Sequence, residues 1–546
     1  TLSEVGRVDF DRMRQLTGKT DAELQQELGN DIFEDPQAGW VTSDEYLSGN
    51  VRLKLAVAEN AAKMDPRFER NVEALRAVQP ADLAAEEIGV QLGAPWMPTE
   101  YLNDFLSHLT GFSSRYFKVG YNPQMAEWVI EYSDNHAKRL VKSSTNATVT
   151  WGTQDLDAVQ LTAMALNMKT PTIKRAVGKE PNGRIIYELD STATTAARNK
   201  LNAIKKEFER WLWSDEKRKT ALVREYNERF NTGRLRTFDG SHLTFPGMNP
   251  AITLKKHQKD AVWRALQSSN TLFAHAVGAG KTFEMIASMM EMKRMGIINK
   301  PMWVVPNHLV EQMGADFMKL YPAANILVAG KKDFEKKNRK RLFAKIATGN
   351  YDAVIVPHSS FGKIPMSADF VRQFYQEQLD ALQQAIEQEA LLSGKKNTSL
   401  SRRIAVAKKR LEARMNKELA KIERDEDNVT FEELGVDGLV VDEAHEFKNL
   451  FYTTKMQNVA GLGNMEGSGK AFDLFMKARY LQRLNGGKGV IFATGTPVSN
   501  SLAEMYTFQR YLQYEEMVRR GIESFDSWVA QFGNVKNVLE LAPEGK

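Results

Sequence analysis

Between residues 270 and 493 the sequence repeats one pattern: a short apolar run, then a longer amphipathic segment. The runs are L-F-A before Val277, M-W-V-V at 302, I-L-V at 326, A-V-I-V at 353, G-L-V-V at 438 and V-I-F-A at 490. Strands this apolar have no polar face to turn to water. They belong in a parallel sheet covered on both sides by crossover helices. The pattern predicts an α/β lobe over residues 251–512. It is interrupted from 368 to 430, where Val371, Tyr375, Leu379, Leu382, Ile386 and Ala390, then Leu400, Ile404, Ala407, Leu411, Met415, Leu419 and Ile422, keep three-to-four spacing around S-G-K-K-N-T-S. The expectation is an inserted antiparallel helical hairpin.

Upstream the chain reads differently. Residues 1–110 carry helical segments such as V-R-L-K-L-A-V-A and N-V-E-A-L-R-A-V, broken at D-P and Q-P, which predicts a helical N-terminal domain. Residues 111–250 read as an α+β accessory region. Phe117, Val119 and Tyr121 with Trp128, Ile130 and Tyr132 suggest a β-hairpin, and P-N-G-R-I-I-Y-E-L another turn and strand. A helix over Thr192–Phe230 places Leu201, Ile204, Phe208 and Leu212 on one side. It packs a core or, through Lys200, Lys205, Lys206, Arg210, Trp211 and Trp213, braces a polyanion. D-G-S-H-L-T-F-P-G-M-N-P marks a boundary near 250.

Composition excludes several classes. No apolar stretch reaches the length needed to span a bilayer, and the start T-L-S-E-V-G-R-V lacks a leader pattern, so a cytoplasmic protein with no membrane partner is expected. Without cysteine there is neither a disulfide nor a thiolate metal site, and the eight histidines show no paired ligand spacing. The net charge of +5 is modest, but cations cluster at Lys331, Lys332, Lys336, Lys337, Arg339, Lys340 and Arg341, and at Arg402, Arg403, Lys408, Lys409 and Arg410. Either cluster is a solvated helix face or a polyanion contact.

Two motifs carry chemistry. V-G-A-G-K-T at 277–282 follows an apolar strand and opens an amphipathic run. Gly278 and Gly280 let backbone N–H groups turn toward phosphate oxygens, Lys281 reaches the β and γ phosphates, and Thr282 ligates magnesium. His275 stands where the phosphate-loop pattern has its first glycine. L-V-V-D-E-A-H at 439–445 ends a strand in paired carboxylates, placing Asp442 for a magnesium ion and Glu443 for the attacking water. G-L-G-N-M-E-G-S-G-K at 461–470 has no preceding strand and reads as a mobile loop.

With L-K-K-H-Q-K-D-A-V, V-V-P-N-H-L-V-E-Q, Y-D-A-V-I-V-P-H-S-S-F, D-E-A-H-E-F-K-N and A-T-G-T-P-V-S-N-S-L-A-E-M-Y, these segments resemble, in order, the motifs of the first RecA-like lobe of superfamily 2, Swi/Snf-type helicases. D-G-S-H-L-T-F-P-G-M and T-K-M-Q-N-V-A-G resemble the helicase and N6-adenine methyltransferase fusion proteins of phages and mobile elements. The resemblance implies a P-loop NTPase fold, ATP and Mg²⁺ as cofactors, and double-stranded DNA as partner. It implies that Gln258 recognises adenine; that Lys281, Asp442, Glu443 and His445 serve catalysis; and that His445, Thr494 and Thr496 couple hydrolysis to movement. Pro306, Asn307, His308, Ser359 and Ser360 are the implied nucleic-acid contacts. A second RecA-like lobe and a methyltransferase domain are the implied further partners. The Thr1 start and residues 513–546, read as a linker, suggest a piece of a longer chain, which binds ATP by itself but hydrolyses it slowly. The alternative is a DNA- or protein-binding module with a regulatory or vestigial nucleotide site.

Overall fold

All six apolar runs fall in one sheet. In this lobe we label the strands β1 (Asn270–Phe273), β2 (Pro301–Val305), β3 (Ile326–Val328), β4 (Ala353–Pro357), β5 (Gly438–Val441) and β6 (Val490–Ala493). Their order across the sheet is β3-β4-β2-β5-β6-β1, and every neighbouring pair is parallel. The structure is a computed structural model that describes residues 1–123, 125–180, 185–393, 399–423, 429–452, 454, 456, 467–499 and 501–533.

The helices of the lobe are α1 (Lys256–Gln267), α2 (Lys281–Arg294), α3 (Val310–Leu320), α4 (Lys336–Thr348), α5 (Ala368–Ser393), α6 (Ser399–Glu423), α7 (Gly469–Leu484) and α8 (Ala503–Leu512). Alternation along each strand divides the sheet between two cores. Met302, Val304, Val354, Val356, Leu439, Val441, Val490 and Phe492 face α4, α5, α7 and α8. Trp303, Val305, Ala353, Ile355, Val440, Ile491 and Ala493 face α1, α2 and α3. Nearly all are fully buried, and each large apolar side chain so placed contributes about 1.5–3 kcal/mol. The fold is the three-layer, RecA-like α/β arrangement expected from the runs.

The insertion is a helical pair. Val371 and Tyr375 at the start of α5 share a core with Leu411, Met415, Leu419 and Ile422 near the end of α6. Ala385, Leu382 and Ile386 farther along α5 meet Ile404 at the start of α6, so the two run antiparallel. Their distal end rests on Met125 and Val129 of the accessory region, a bridge that the spacing did not reveal. Arg403 and the side chains at the turn lie outside the described residues, as do 461–466 of the glycine-rich segment.

The N-terminal 110 residues are less purely helical than expected. Ile32–Asp35 pairs antiparallel with Gly39–Thr42. The turn forms because Asp35 accepts from the amides of Gln37 and Ala38, and Gly39 supplies a φ of 79°, a conformation open mainly to glycine. In the accessory region the expected hairpin forms, Phe117–Asn122 with Glu127–Tyr132, and the further strand expected from P-N-G-R-I-I-Y-E-L, Ile185–Leu189, pairs with Lys174–Lys179; the residues 181–184 lie outside the described ones.

The helix Ser191–Ser214 buries Leu201, Ile204, Phe208 and Leu212. Trp211 packs 5.3 Å from Phe105, under the Arg218 guanidinium, and Lys200 donates to the carbonyls of Val149 and Thr150. The core reading of this helix therefore holds.

Residues 514–532 form two helices rather than a free linker: Met517, Ile522, Phe525 and Trp528 pack with Tyr452, Ala503 and Tyr506. Among the described residues no helix is long and apolar enough to cross a membrane.

Candidate nucleotide and nucleic-acid site

Because all six strands are parallel, their carboxyl ends open on one rim. The segments that leave this rim are 274–280 after β1, 306–309 after β2, 358–361 after β4, 442–447 after β5 and 494–499 after β6. Each of these segments contains candidate residues named from sequence, and the first, with Gly278 and Gly280, is the phosphate loop itself. Open α/β sheets bind ligands at this edge.

The phosphate loop takes its shape from two glycines, Gly278 at φ 86° and Gly280 at φ 93°. A side chain at 280 would also meet Gln258, whose Nε2 lies 2.3 Å from where a Cβ would stand. Helix α2 starts at Lys281, so its unsatisfied N–H groups and Thr282 in the first turn face the loop. The Lys281 ammonium donates to the carbonyls of His275 (2.9 Å) and Ala276 (3.1 Å).

Helix α1 braces the loop from behind. Gln258 is buried; its Oε1 accepts from the Lys255 amide (2.9 Å) and its Nε2 donates to the Gly280 carbonyl (3.3 Å). Both ends of its amide are thereby used within the chain. His257 Nε2 lies 3.0 Å from the Ala279 carbonyl. The imidazole that replaces the pattern's first glycine has its own partner: His275 Nδ1 sits 2.9 Å from both oxygens of Glu284, a carboxylate without solvent exposure on α2. Burial raises the Glu284 pKa, and the His275 imidazole opposes that rise.

The acidic pair ends β5. Asp442 is 8% exposed, and burial followed by the neighbouring Glu443 charge pushes its carboxyl up to about 6; the Glu443 amide, Lys281 and His445 pull the other way. The Asp442 carboxyl thus feels the charge of Lys281, a residue 161 positions away in sequence. Among the described residues Glu443 is one of four non-glycines with positive φ, at 48°, a backbone strain of about 1–2 kcal/mol. It turns the carboxylate toward His445, whose Nδ1 is 3.1 Å away. The same imidazole nitrogen is 2.9 Å from the hydroxyl of buried Thr494, which accepts from the Thr496 amide (3.1 Å). Gly495 lies against the phosphate loop: a Cβ there would stand 2.8 Å from Val277 Cγ2 and 3.6 Å from Lys281 Nζ. Glu443, His445 and Thr494 are thus joined side by side, and the residue after Thr494 backs onto the phosphate loop.

Farther along the rim, Asn307 Oδ1 accepts from the Ser359 amide (3.2 Å), joining the segments after β2 and β4. Asn307, His308 and Ser359 are exposed and Pro306 is half-buried. Ser360 differs: it is fully buried, and its hydroxyl finds no partner among the described residues. In this arrangement it presents nothing to a ligand.

Several residues that hold the site escaped the sequence reading. His358 Nε2 is 2.9 Å from the Asp442 carbonyl, and burial depresses its pKa to about 4, so it is neutral near pH 7 and can fix the end of β5 without adding charge. Its place within V-P-H-S-S-F gave no sign of this. Buried Lys477 on α7 bonds the Phe361 carbonyl (3.0 Å) and Asp473 (2.7 Å), anchoring the segment after β4. Lys448 pairs with Glu504 at 3.0 Å and ties the segment after β5 to α8.

The residues fit a magnesium-bound triphosphate. Among the described residues no three His, Cys, Asp or Glu side chains form a metal cage. Magnesium needs none, since it is commonly held by one or two protein oxygens, phosphates and water. Asp442 and Thr282 supply such oxygens beside an anion-binding helix end.

Residues 1–41 match a family described as "Probable helicase, winged helix domain", and residues 91–232 match a domain family of unknown function. The chain is 22% identical over 398 residues to "Defense against restriction protein B" of Escherichia phage P1, a match covering 65% of this chain and 17% of the phage protein. The chain thus spans about a sixth of that relative's length. A solved Sulfolobus solfataricus SWI2/SNF2 ATPase core in complex with double-stranded DNA aligns over 53% of this chain and 41% of its own, at 12% identity and a TM-score of 0.29. Residues 263–542, more than half of the 546, match the family described as "Probable helicase domain", and the chain belongs to that family.

Proposed function

We propose that the chain is the ATP-binding lobe of a Swi/Snf-type motor that translocates on double-stranded DNA. What supports this reading is that Lys281 and the Asp442–Glu443 pair follow strands of one parallel sheet at the same rim, where the Lys281 charge helps to lower the Asp442 pKa. In this reading the loop amides and Lys281 take the β and γ phosphates, after Lys281 exchanges its two carbonyl partners for phosphate oxygens. Thr282 and Asp442 would hold a magnesium ion, whose charge would offset that of the phosphates. Glu443 orients the attacking water and accepts its proton. His445, Thr494 and Thr496 relay the change at the γ-phosphate toward the segments that carry Asn307, His308 and Ser359. Gln258 selects adenine once its bond to Gly280 yields to the base.

Hydrolysis by these residues alone is slow in this account. Charge building on the transferred phosphoryl group meets only Lys281 and the metal, whereas an arginine delivered by a partner lobe adds about 10³–10⁵ in rate in related NTPases. A second RecA-like lobe, and a methyltransferase domain in the full-length protein, are part of the proposal. The phage relative's named role, defence against restriction, suits a motor that acts on DNA.

Calorimetric titration of Mg·ATP tests the reading. The unsubstituted chain is expected to bind, and Lys281→Ala to weaken binding about 10- to 100-fold, the value of a charge-assisted hydrogen bond to phosphate. Equal affinity in the two proteins would remove the lobe from the nucleotide-dependent class.

A further inference from the structure

Beyond β4, at the edge of the sheet, β3 delivers the chain to the same rim. From there the segment 329–335 leads into α4, whose first turn therefore also lies at the rim. Residues 331–345 carry eight cations, Lys331, Lys332, Lys336, Lys337, Arg339, Lys340, Arg341 and Lys345, against the two acids Asp333 and Glu335. Their net +6 exceeds the +5 of the whole chain, so the remainder of the protein is close to neutral.

A solvated helix face ordinarily mixes both signs. Here the inner face of α4 is Leu342, Phe343 and Ile346, buried in the core, while Lys331, Lys332, Lys336, Lys337, Lys340 and Arg341 are exposed. The acids do little to balance them. Asp333 accepts from the Gly330 amide at 2.8 Å in a turn, and Glu335 lies 3.6 Å from Lys337. Gathering like charges this densely costs free energy that a polyanion would offset.

The sheet order gives the strip its place. From the middle outward along the rim come the segment after β2 with Asn307 and His308, the segment after β4 with Ser359, and the segment after β3 with Lys331 and Lys332. Adjacent strands are about 4.8 Å apart, so the lysines continue the line of proposed nucleic-acid contacts by about one strand spacing. We infer that Lys331, Lys332, Lys336 and Lys337 form an outer phosphate-contact strip that lengthens the duplex footprint of the lobe beyond the segments after β2 and β4. The inference rests on the nucleic-acid reading proposed above. It adds a sequence-independent grip and no base readout, because lysines on phosphates position a duplex without reading it.

The salt dependence of duplex binding measures the strip directly. Each phosphate neutralised by a cation contributes about 0.9 to the slope of log affinity against log salt. Fluorescence anisotropy of a duplex oligonucleotide, titrated with the full chain between about 50 and 200 mM salt, would compare the unsubstituted protein with the variant carrying Lys331→Gln, Lys332→Gln, Lys336→Gln and Lys337→Gln. A charge-matched control carries Lys63→Gln, Lys118→Gln, Lys138→Gln and Lys217→Gln, all exposed positions elsewhere. The strip variant is expected to lower the slope by about 3 to 4, and the control by less than about 1. Binding by the unsubstituted chain with equal slopes in both variants would overturn the strip alone. Absence of duplex binding by the unsubstituted chain would overturn the nucleic-acid reading and the strip with it. An unchanged duplex slope, together with lost binding to phosphatidylserine vesicles, would assign the cations to a membrane surface and also overturn the inference.

Discussion

Several polar groups in the accessory region close on one another. Asn167 exchanges hydrogen bonds with the Trp128 backbone at 2.9 and 2.8 Å, the Trp128 indole donates to the Gly93 carbonyl, and Glu207 is shared by His108 and Arg210. At the carboxyl rim of the lobe the groups are as deeply set but are not closed. Asp442 is buried with no cation within ion-pair distance among the described residues, Lys281 rests on two carbonyls, and Glu443 holds a left-handed backbone conformation. The accessory region has spent its polar groups on stability. The rim leaves Asp442 without an ion-pair partner among the described residues and Lys281 on carbonyls alone, an arrangement that a ligand would complete.

The largest expected effect separates the two regions by chemistry. Glu443→Gln should lower single-turnover ATP hydrolysis by about 10²–10⁴, the usual worth of a general base, and leave Mg·ATP affinity nearly unchanged. Loss of binding with unchanged hydrolysis per bound nucleotide would break the distinction. In the accessory core, Phe208→Ala removes a buried ring 5.0 Å from Phe105 and should cost about 3–5 kcal/mol in denaturant unfolding of that region. Nucleotide affinity at the rim should not move; if it falls in parallel, the two regions are not independent.

Smaller effects sharpen the rim. Gly280→Ala places a side chain at φ 93° and against Gln258, so Mg·ATP affinity should drop about tenfold, consistent with about 1–2 kcal/mol of backbone strain. Wild-type affinity in that variant would mean that the loop is not read in this conformation. The pH dependence follows from Asp442. Its carboxyl is raised to about 6, so it is charged above that pH and protonated below it. Magnesium requires the charged form, and Mg·ATP affinity should therefore be flat at pH 7–8 and fall toward tenfold per unit below about 6. Titration calorimetry across pH 5–8 checks this, with affinity that rises on acidification as the contrary result.

How much was legible follows from the same contrast. The sheet could be read because strands buried on both faces leave long apolar runs, and Val304 or Val440 has no other place to be. The positions of Lys281, Asp442 and Glu443 at the carboxyl rim could be read because a glycine loop after one apolar run and an acidic pair ending another are visible in the sequence. His358, Lys477 and the His275–Glu284 pair were not legible. His358 and Lys477 reach carbonyls 84 and 116 positions away, His275 and Glu284 pair across the phosphate loop, and a lone histidine or a mid-helix lysine carries no periodic signal. Ser360 was misplaced for a related reason: beside exposed Ser359 in sequence, it takes the opposite side of a short helical turn and is buried. The hairpin of 32–42 was missed because two four-residue strands are too short for alternation to show. The docking of α5 and α6 on Met125 and Val129 joins segments more than 250 positions apart, which spacing alone does not encode.

The central claim is that Lys281 and Asp442 act on one magnesium-bound triphosphate. A double-mutant cycle of Lys281→Ala and Asp442→Asn on Mg·ATP affinity tests it. The expected result is strong coupling, with the double variant little weaker than the worse single variant and an interaction energy above about 1 kcal/mol. Losses that add to within about 0.5 kcal/mol would show two independent sites and contradict the account.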